Sequence, residues 1–301
     1  MAVGGGHEEA ILRSPIYMAK KLHEAERFGR RARELKPRQV VESARKRAAS
    51  YKELSLSGLI LDVGCGYGPD ALAILEASPC EVVGFDISLG ALELAKEVLK
   101  GRRAYLLAAD ATDMPFKDRA FDVVNISYML HHHPWLIVKR IISEVARILK
   151  PGGKLTIREP CPRDEKDALL NEIRGILHEL QALRELSEGG HDISGPLRDF
   201  LHLGSHMLGF GNLYLTALKG LLASSGFRVV KVELFEEERD LLALLRRAEE
   251  RYKALSFSEA EEEFIRYRLE DLRHKVEALG ARVVRELRAF IVAVREQRGP
   301  G

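Results

Sequence analysis

At 301 residues the chain is long enough to bury a substantial core, as one large domain or one domain with inserts. Its 46% apolar and 31% charged composition is that of a soluble globular protein, and no apolar run approaches the ~20 residues needed to cross a bilayer. A net charge of +2 gives little support to a nucleic-acid-binding domain, which ordinarily carries a larger basic excess. Met1 to Glu9 lacks the basic-then-apolar pattern of a signal peptide, so residues 1–13 read as a disordered lead and the protein as cytoplasmic. Residues 14–52 read as N-terminal helices. Ser14-Pro15 opens the first, and Lys36-Pro37 ends it and opens a second that runs to about Tyr51. Leu22, Ala25, Ala32 and Leu35 recur at helical spacing and give the first helix a face to bury. The clusters Arg30-Arg31 with Arg33, and Arg45-Lys46-Arg47, read as solvated helix faces. Scarce Asn and Gln beside abundant Glu, Lys and Arg resemble thermophile composition.

Residues 53–160 then alternate strand and helix, as a parallel doubly wound sheet demands. Leu59-Ile60 runs into Leu61-Asp62-Val63-Gly64-Cys65-Gly66-Tyr67-Gly68, and a helical stretch opens at Pro69. Glycines between a buried strand and a helix N-terminus permit positive φ and let a ligand approach the backbone, as a nucleotide-binding turn requires. A dinucleotide fingerprint would place its last glycine at position 69, where Pro69 stands, so a nicotinamide dehydrogenase is disfavoured. Glu81 to Asp86 reads as a second strand ending in a carboxylate, about 20 residues past the glycines, where an acid can meet ribose hydroxyls. A third strand ends near Leu107 and leads to Ala109-Asp110-Ala111-Thr112-Asp113-Met114-Pro115-Phe116. Phe121 to Ser127 is a fourth strand. Leu149-Lys150-Pro151-Gly152-Gly153-Lys154-Leu155 is a helix stop, a tight turn and a fifth strand, and Ser225-Gly226-Phe227-Arg228-Val229-Val230 opens a sixth. All the ligand-bearing turns should lie at the carboxyl edge of the sheet.

The motif acidic-x-Gly-x-Gly-x-Gly at Asp62–Gly68, followed in order by Asp86, Asp110, the Pro151-Gly152-Gly153 turn and Gly226-Phe227, resembles the class I S-adenosylmethionine (SAM) dependent methyltransferases. That resemblance implies an α/β fold with a doubly wound, mostly parallel seven-stranded sheet, with added N-terminal helices and two helical insertions. It implies SAM as cofactor, held by Asp62, Gly64, Cys65, Gly66, Gly68, Asp86, Ile87, Asp110, Ala111 and Ser127. In such a site Asp86 takes the ribose hydroxyls, Asp110 and the Ala111 backbone N–H read adenine, and Ser127 meets the methionine part.

The rest of the chain divides into a first helical insertion at 161–212, the remainder of the core at 213–236 and 287–297, and a second helical insertion at 237–286. In the first insertion Asp164 to about Leu186 is an amphipathic helix with Leu169, Ile173, Ile176, Leu180 and Leu183 as its stripe, and a loop through Gly189-Gly190-His191 to Gly195-Pro196 follows. In the second, one helix runs near Arg239 to Leu255 and another opens at Ser258, with Glu261 completing a capping box; the last strand is expected at Ala289 to Val294, after a sixth strand ending near Phe235. These insertions are too long to be hairpin loops. They resemble the caps that close over substrates in small-molecule methyltransferases; packing or assembly of a homodimer is the other role open to them.

The chemistry expected is in-line displacement, for which alignment of a nucleophile with the sulfonium methyl is the main requirement. Tyr128-Met129-Leu130-His131-His132-His133 follows the fourth strand, where the family faces the methyl group. His131 and His132 are the candidate bases, with a structural or hydrogen-bonding role the leading reading of the run, and Tyr128, Arg158 and Glu159 are the candidate substrate-pocket residues. Three adjacent histidines point in different directions, and Cys65, Cys80 and Cys161 show no paired spacing, so no metal is expected. His191, His202 and His206 give only a weak further metal pattern. Asn125-Ile126-Ser127-Tyr128 stands where adenine and glutamine methyltransferases of this kind carry Asn-Pro-Pro-Tyr, and no reactive cysteine pair is present. The reading is therefore a SAM-dependent methyltransferase of a small or lipophilic organic acceptor in a capped pocket. The rivals are an RNA or protein methyltransferase docking through the insertions, and a non-catalytic SAM-binding subunit.

Overall fold

A computed structural model describes residues 12, 15–162, 165–188, 213–257, 259–280 and 282–297. The lead at 1–11, the loop through Gly189, His191 and Pro196, both His202 and His206, the Ser258 cap, and the Leu183 and Glu261 side chains lie outside the described residues. Helices α1 (Pro15–Glu34) and α2 (Pro37–Lys52) begin at the two prolines, whose fixed φ and missing N–H suit the first helical turn. The core then follows as β1 (Gly58–Val63), α3 (Pro69–Ala77), β2 (Cys80–Asp86), α4 (Leu89–Val98), β3 (Ala104–Ala108), β4 (Phe121–Ser127), α5 (Trp135–Ile148) and β5 (Leu149–Pro160). Beyond it lie α6 (Glu165–Glu188), α7 (Leu215–Ser224), β6 (Phe227–Asp240), α8 (Leu241–Lys253), α9 (Glu259–Ala278) and β7 (Val283–Arg295).

The seven strands form one sheet in the order β3-β2-β1-β4-β5-β7-β6, parallel except for β7, which runs antiparallel to both of its neighbours. This is the class I methyltransferase sheet that the motifs imply. β1 and β4, flanked on both sides, read as nearly continuous apolar runs because both of their faces are covered. On one face α5 buries Ile137, Ile141, Val145 and Ile148 against Val124, Ile126, Leu155 and Ile157. On the other, α2 and α3 bury Ala44, Ala48, Tyr51, Leu72 and Ile74 against Ile60, Val82 and Phe290.

Two elements differ from the sequence expectation. The β6–β7 ladder extends to Asp240↔Val283, well past Phe235 and before Ala289. On β6 the outer part, Glu236 to Arg239, is a charged run without an apolar signal, so β6 is held there by pairing with β7 rather than by its own burial. On α1, Leu22 is 56% exposed, while Ala25 and Ala32 face inward as expected and are joined there by Tyr17 and Lys21. A buried lysine breaks the apolar period that would have marked that face.

The two insertions, far apart in the chain, share one core. Leu169, Ile173, Ile176 and Leu180 of α6 pack with Leu241 and Leu245 of α8 and with Ile265, Leu269, Leu272 and Val276 of α9. Buried Glu286 on β7 ties this helical layer to the sheet. It accepts from Arg174 of α6, Arg239 of β6 and Arg288 of β7. Those guanidinium groups outweigh the effect of burial and hold its carboxyl down at about 2.

Candidate active site

The carboxyl ends of β1, β2, β3 and β4 surround one cavity. Asp62, Gly64, Cys65 and Gly66 from the first turn, Asp86 and Ile87 from the second, Asp110 and Ala111 from the third, and Ser127 and Tyr128 from the fourth are all in its walls. Gly68 is not; it is the first cap of α3, at φ 82°. Arg158, Glu159 and His131 lie behind the wall, towards β5, while His132 and His133 are part of it. Gly64 has φ 66°, and a Cβ there would lie 2.7 Å from Met129 Cγ, so both the backbone and the space require glycine. At Gly66 a Cβ would meet no atom within 4 Å, which leaves room against the turn for a ligand.

The carboxylates are prepared differently. Asp86 accepts from Gly66 N at 2.9 Å and Ser88 N at 2.8 Å, which locks its rotamer across the turn; Ser88, not Asp86, caps α4. Burial raises its carboxyl, and those N–H groups oppose the rise. Asp110 accepts from Thr112 N and Oγ1 and is paired with Lys21; burial alone would raise it, but these donors outweigh burial and hold it down. Asp62 accepts at one oxygen from Asn125 Nδ2 (2.7 Å), while its buried Oδ2 has no hydrogen-bond partner among the described residues. Burial and the nearby Asp70 push Asp62 up to about 8, against the pull of Asn125 and Arg47. The Ser127 Oγ is likewise buried and unbonded. A cationic, hydrogen-bonding ligand end at Asp62 and Ser127 would supply what both lack, so these residues fit the amino-acid part of the cofactor that the resemblance implies.

The three histidines find different partners, although the His131 and His132 rings lie side by side with their centres 4.1 Å apart. His131 Nδ1 lies 2.6 Å from the fully buried Glu159, whose other oxygen accepts from Met129 N and Leu130 N at 2.7 Å each. His132 Nδ1 lies 3.7 Å from Glu24, and its ring meets Phe28 edge-on; burial, with His131 adjacent, pushes it down to about 4. His133 Nδ1 is 3.0 Å from the Tyr17 hydroxyl. Among the described residues no three His, Cys, Asp or Glu side chains are placed to hold one ion.

Sequence reasoning did not find the roof. Lys21, Glu24, Ala25 and Phe28 of α1, together with Arg47 of α2 and Asp70 of α3, complete the walls. Arg45 and Lys46 are exposed as expected, but Arg47 turns inward to pair with Asp70, which also accepts from Tyr51 Oη at 2.7 Å. The one local clue was a positive charge on the period of an otherwise apolar face, and a lone lysine there reads equally well as solvated. α1 is anchored where Gly29 lies against Gly90, too close for a Cβ at position 90, and where Ser88 Oγ donates to Ala25 O at 2.5 Å.

A family profile described as a methyltransferase domain matches residues 60–153. The demethylmenaquinone methyltransferase of Thermus thermophilus is 33% identical over 173 residues, which cover 56% of this chain and 74% of that protein. The 27-O-demethylrifamycin SV methyltransferase of Amycolatopsis mediterranei is 30% identical over 154 residues, 48% of this chain and 51% of that one. Among solved structures, a candidate methyltransferase of Bacillus halodurans superposes with a TM-score of 0.56 at 20% identity, covering 83% of this chain and 99% of its own.

Proposed function

The chain belongs to the class I SAM-dependent methyltransferases, and on that premise we propose that it methylates a small or lipophilic organic acceptor in a pocket closed over by helices. The observation that carries this reading is the roof: α1 lies across the cavity, with Glu24 and Phe28 set against His132 close to Tyr128, which leaves little room for a macromolecular surface to reach the reacting end. Two relatives named for their substrates, a demethylmenaquinone and a rifamycin, act on small molecules, which supports the same class here. Among the described residues no helix is long and apolar enough to cross a membrane.

Bound SAM supplies a sulfonium methyl that is already electrophilic. The protein's part is to hold and align. Asp86 has one oxygen on Gly66 and the other on Ser88, and its remaining lone pairs can take ribose hydroxyls. Asp62 and Ser127 take the amino-acid end, and Asp110 and Ala111 the base. The histidines serve this alignment better than they serve proton removal. His131 is engaged by Glu159, and with an acid strength near 4 His132 is a weak base at neutral pH. Tyr17, Glu24 and Phe28 seat α1 on His132 and His133, so the histidine run positions the roof.

Transfer of labelled methyl from SAM into a size-fractionated extract of the source cells tests the reading. Label in the small-molecule or lipid fraction is expected. Label confined to RNA or protein would replace it with a docking role for the helical layer, and no transfer at all, with SAM bound, would favour a non-catalytic subunit.

A further inference from the structure

The sheet order fixes where an acceptor can lie. The cofactor walls use the ends of β2, β1 and β4, and beyond Tyr128 the next strands are β5 and β7. Building on the small-acceptor reading above, we propose that this side binds the acceptor by an anionic group, a carboxylate or a phosphate, with Arg158 as its main ligand and Arg288 beside it.

Arg158 stands on β5 between Ser127 of β4 and Phe290 of β7. It is 7% exposed, and its Nε and Nη2 are buried with no hydrogen-bond partner among the described residues. Its guanidinium lies 4.5 Å from the Phe290 ring centre and 5.6 Å from that of Phe235. The oxygens of its chain neighbour Glu159 are directed instead to His131, Met129 and Leu130. Contact with two aromatic faces offsets only part of the cost of burying a cation without an anion. Such a group calls for an explanation, and an incoming ligand provides one.

The surroundings point the same way. The Arg288 guanidinium sits 5.7 Å from the Tyr128 ring centre, and that of Arg47 5.4 Å from the same ring. Arg47 is neutralised by Asp70, and Arg288 Nη2 by Glu286 and Glu237, but Arg288 Nε is also buried and unbonded. Tyr128 itself is held at φ 55°, a conformation that costs a non-glycine residue energy and is often found where a ligand is gripped. It is part of the cofactor cavity, so it joins the arginine group to the reacting end. Phe235, 37% exposed, is the half-open side of the group. A guanidinium fork matches a carboxylate or a phosphate with two parallel hydrogen bonds.

The test uses the whole protein, wild type, Arg158→Met and Arg158→Lys. Labelled methyl is transferred from SAM into a small-molecule extract, which is then separated on an anion exchanger, with and without prior alkaline phosphatase. The wild type should label the retained fraction, Arg158→Met should lower that label by about 30-fold or more, and Arg158→Lys should restore part of it. Calorimetric SAM affinity should be unchanged in both variants. Loss of the retained label after phosphatase identifies a phosphate ester, and its persistence a carboxylate. Label in the unretained small molecules, or retained label indifferent to Arg158→Met, overturns the inference and leaves the small-acceptor reading intact. Label only in RNA or protein overturns both. An assay that needs no acceptor runs beside it. Inorganic phosphate or benzoate should raise the thermal midpoint of the SAM-loaded wild type above that in chloride of equal ionic strength. A rise that is absent, or equal in Arg158→Met, also overturns the inference.

Discussion

Asp62 enters the cleft with one oxygen bound by Asn125 and the other unbonded, and burial with Asp70 nearby keeps it protonated up to about pH 8. A cationic ligand end beside it favours the ionised carboxylate, so binding should expel a proton wherever the free protein still holds one. SAM affinity should therefore climb with pH, by at most about tenfold per unit, and level off above about 8. Calorimetry in two buffers of different ionisation enthalpy would show the released proton, and Asp62→Asn should remove both the slope and the release. A flat affinity from pH 6 to 8 in the wild type would mean that Asp62 is already ionised or does not meet the ligand. At this scale the sequence was largely readable. Asp62, Asp86, Asp110 and Ser127 stand at strand ends, and a strand end beside a turn is a local signal. Arg158 was visible as a residue on the fifth strand, but that its Nε and Nη2 have no hydrogen-bond partner among the described residues depends on where Glu159, Phe235 and Phe290 come to rest.

The element that most alters the site is α1. Its buried Lys21 occupies the carboxylate expected to read adenine, so cofactor entry and the Lys21–Asp110 pair compete. Lys21→Met should raise SAM affinity by roughly tenfold, the equivalent of about 1.4 kcal/mol, mainly through faster association in stopped-flow measurements. Weaker binding in the variant would show that Lys21 assists the cofactor instead. The ends of this helix were legible from Pro15 and Pro37, because proline acts on its own turn. Its inward face was not, because Leu22 keeps the helical period yet faces out, and a lysine sits where the cavity needs a charge.

Across the whole molecule, one buried carboxylate joins the helical layer to the sheet. Glu286 is 4% exposed and serves Arg174, Arg239 and Arg288 together. Glu286→Gln would leave three guanidinium groups around a neutral amide, and should cost about 3 kcal/mol of stability in urea unfolding, with α6, α8 and α9 becoming protease-sensitive first. Because the folded carboxyl is held down at about 2, below its unfolded value, its stabilisation is complete above the unfolded pKa and is lost as pH falls towards 2. If acid unfolding of the variant matched that of the wild type, another group would be responsible for the link.

The alternation of strands and helices from β1 to β5, the carboxyl-edge turns and the class of cofactor were all legible in the order of the residues. Those features are written by glycines, prolines and acids that act within a few residues of themselves, and by apolar runs whose length reveals burial on both faces. That α1 roofs the cleft, that the two insertions share one core, that β6 pairs with β7 as far as Asp240, and that Arg158 is buried with no carboxylate paired to it among the described residues emerge from the folded chain alone. Each of these is a relation between surfaces distant in the chain. A hydrophobic period shows that a face must be covered, but not which other face will cover it.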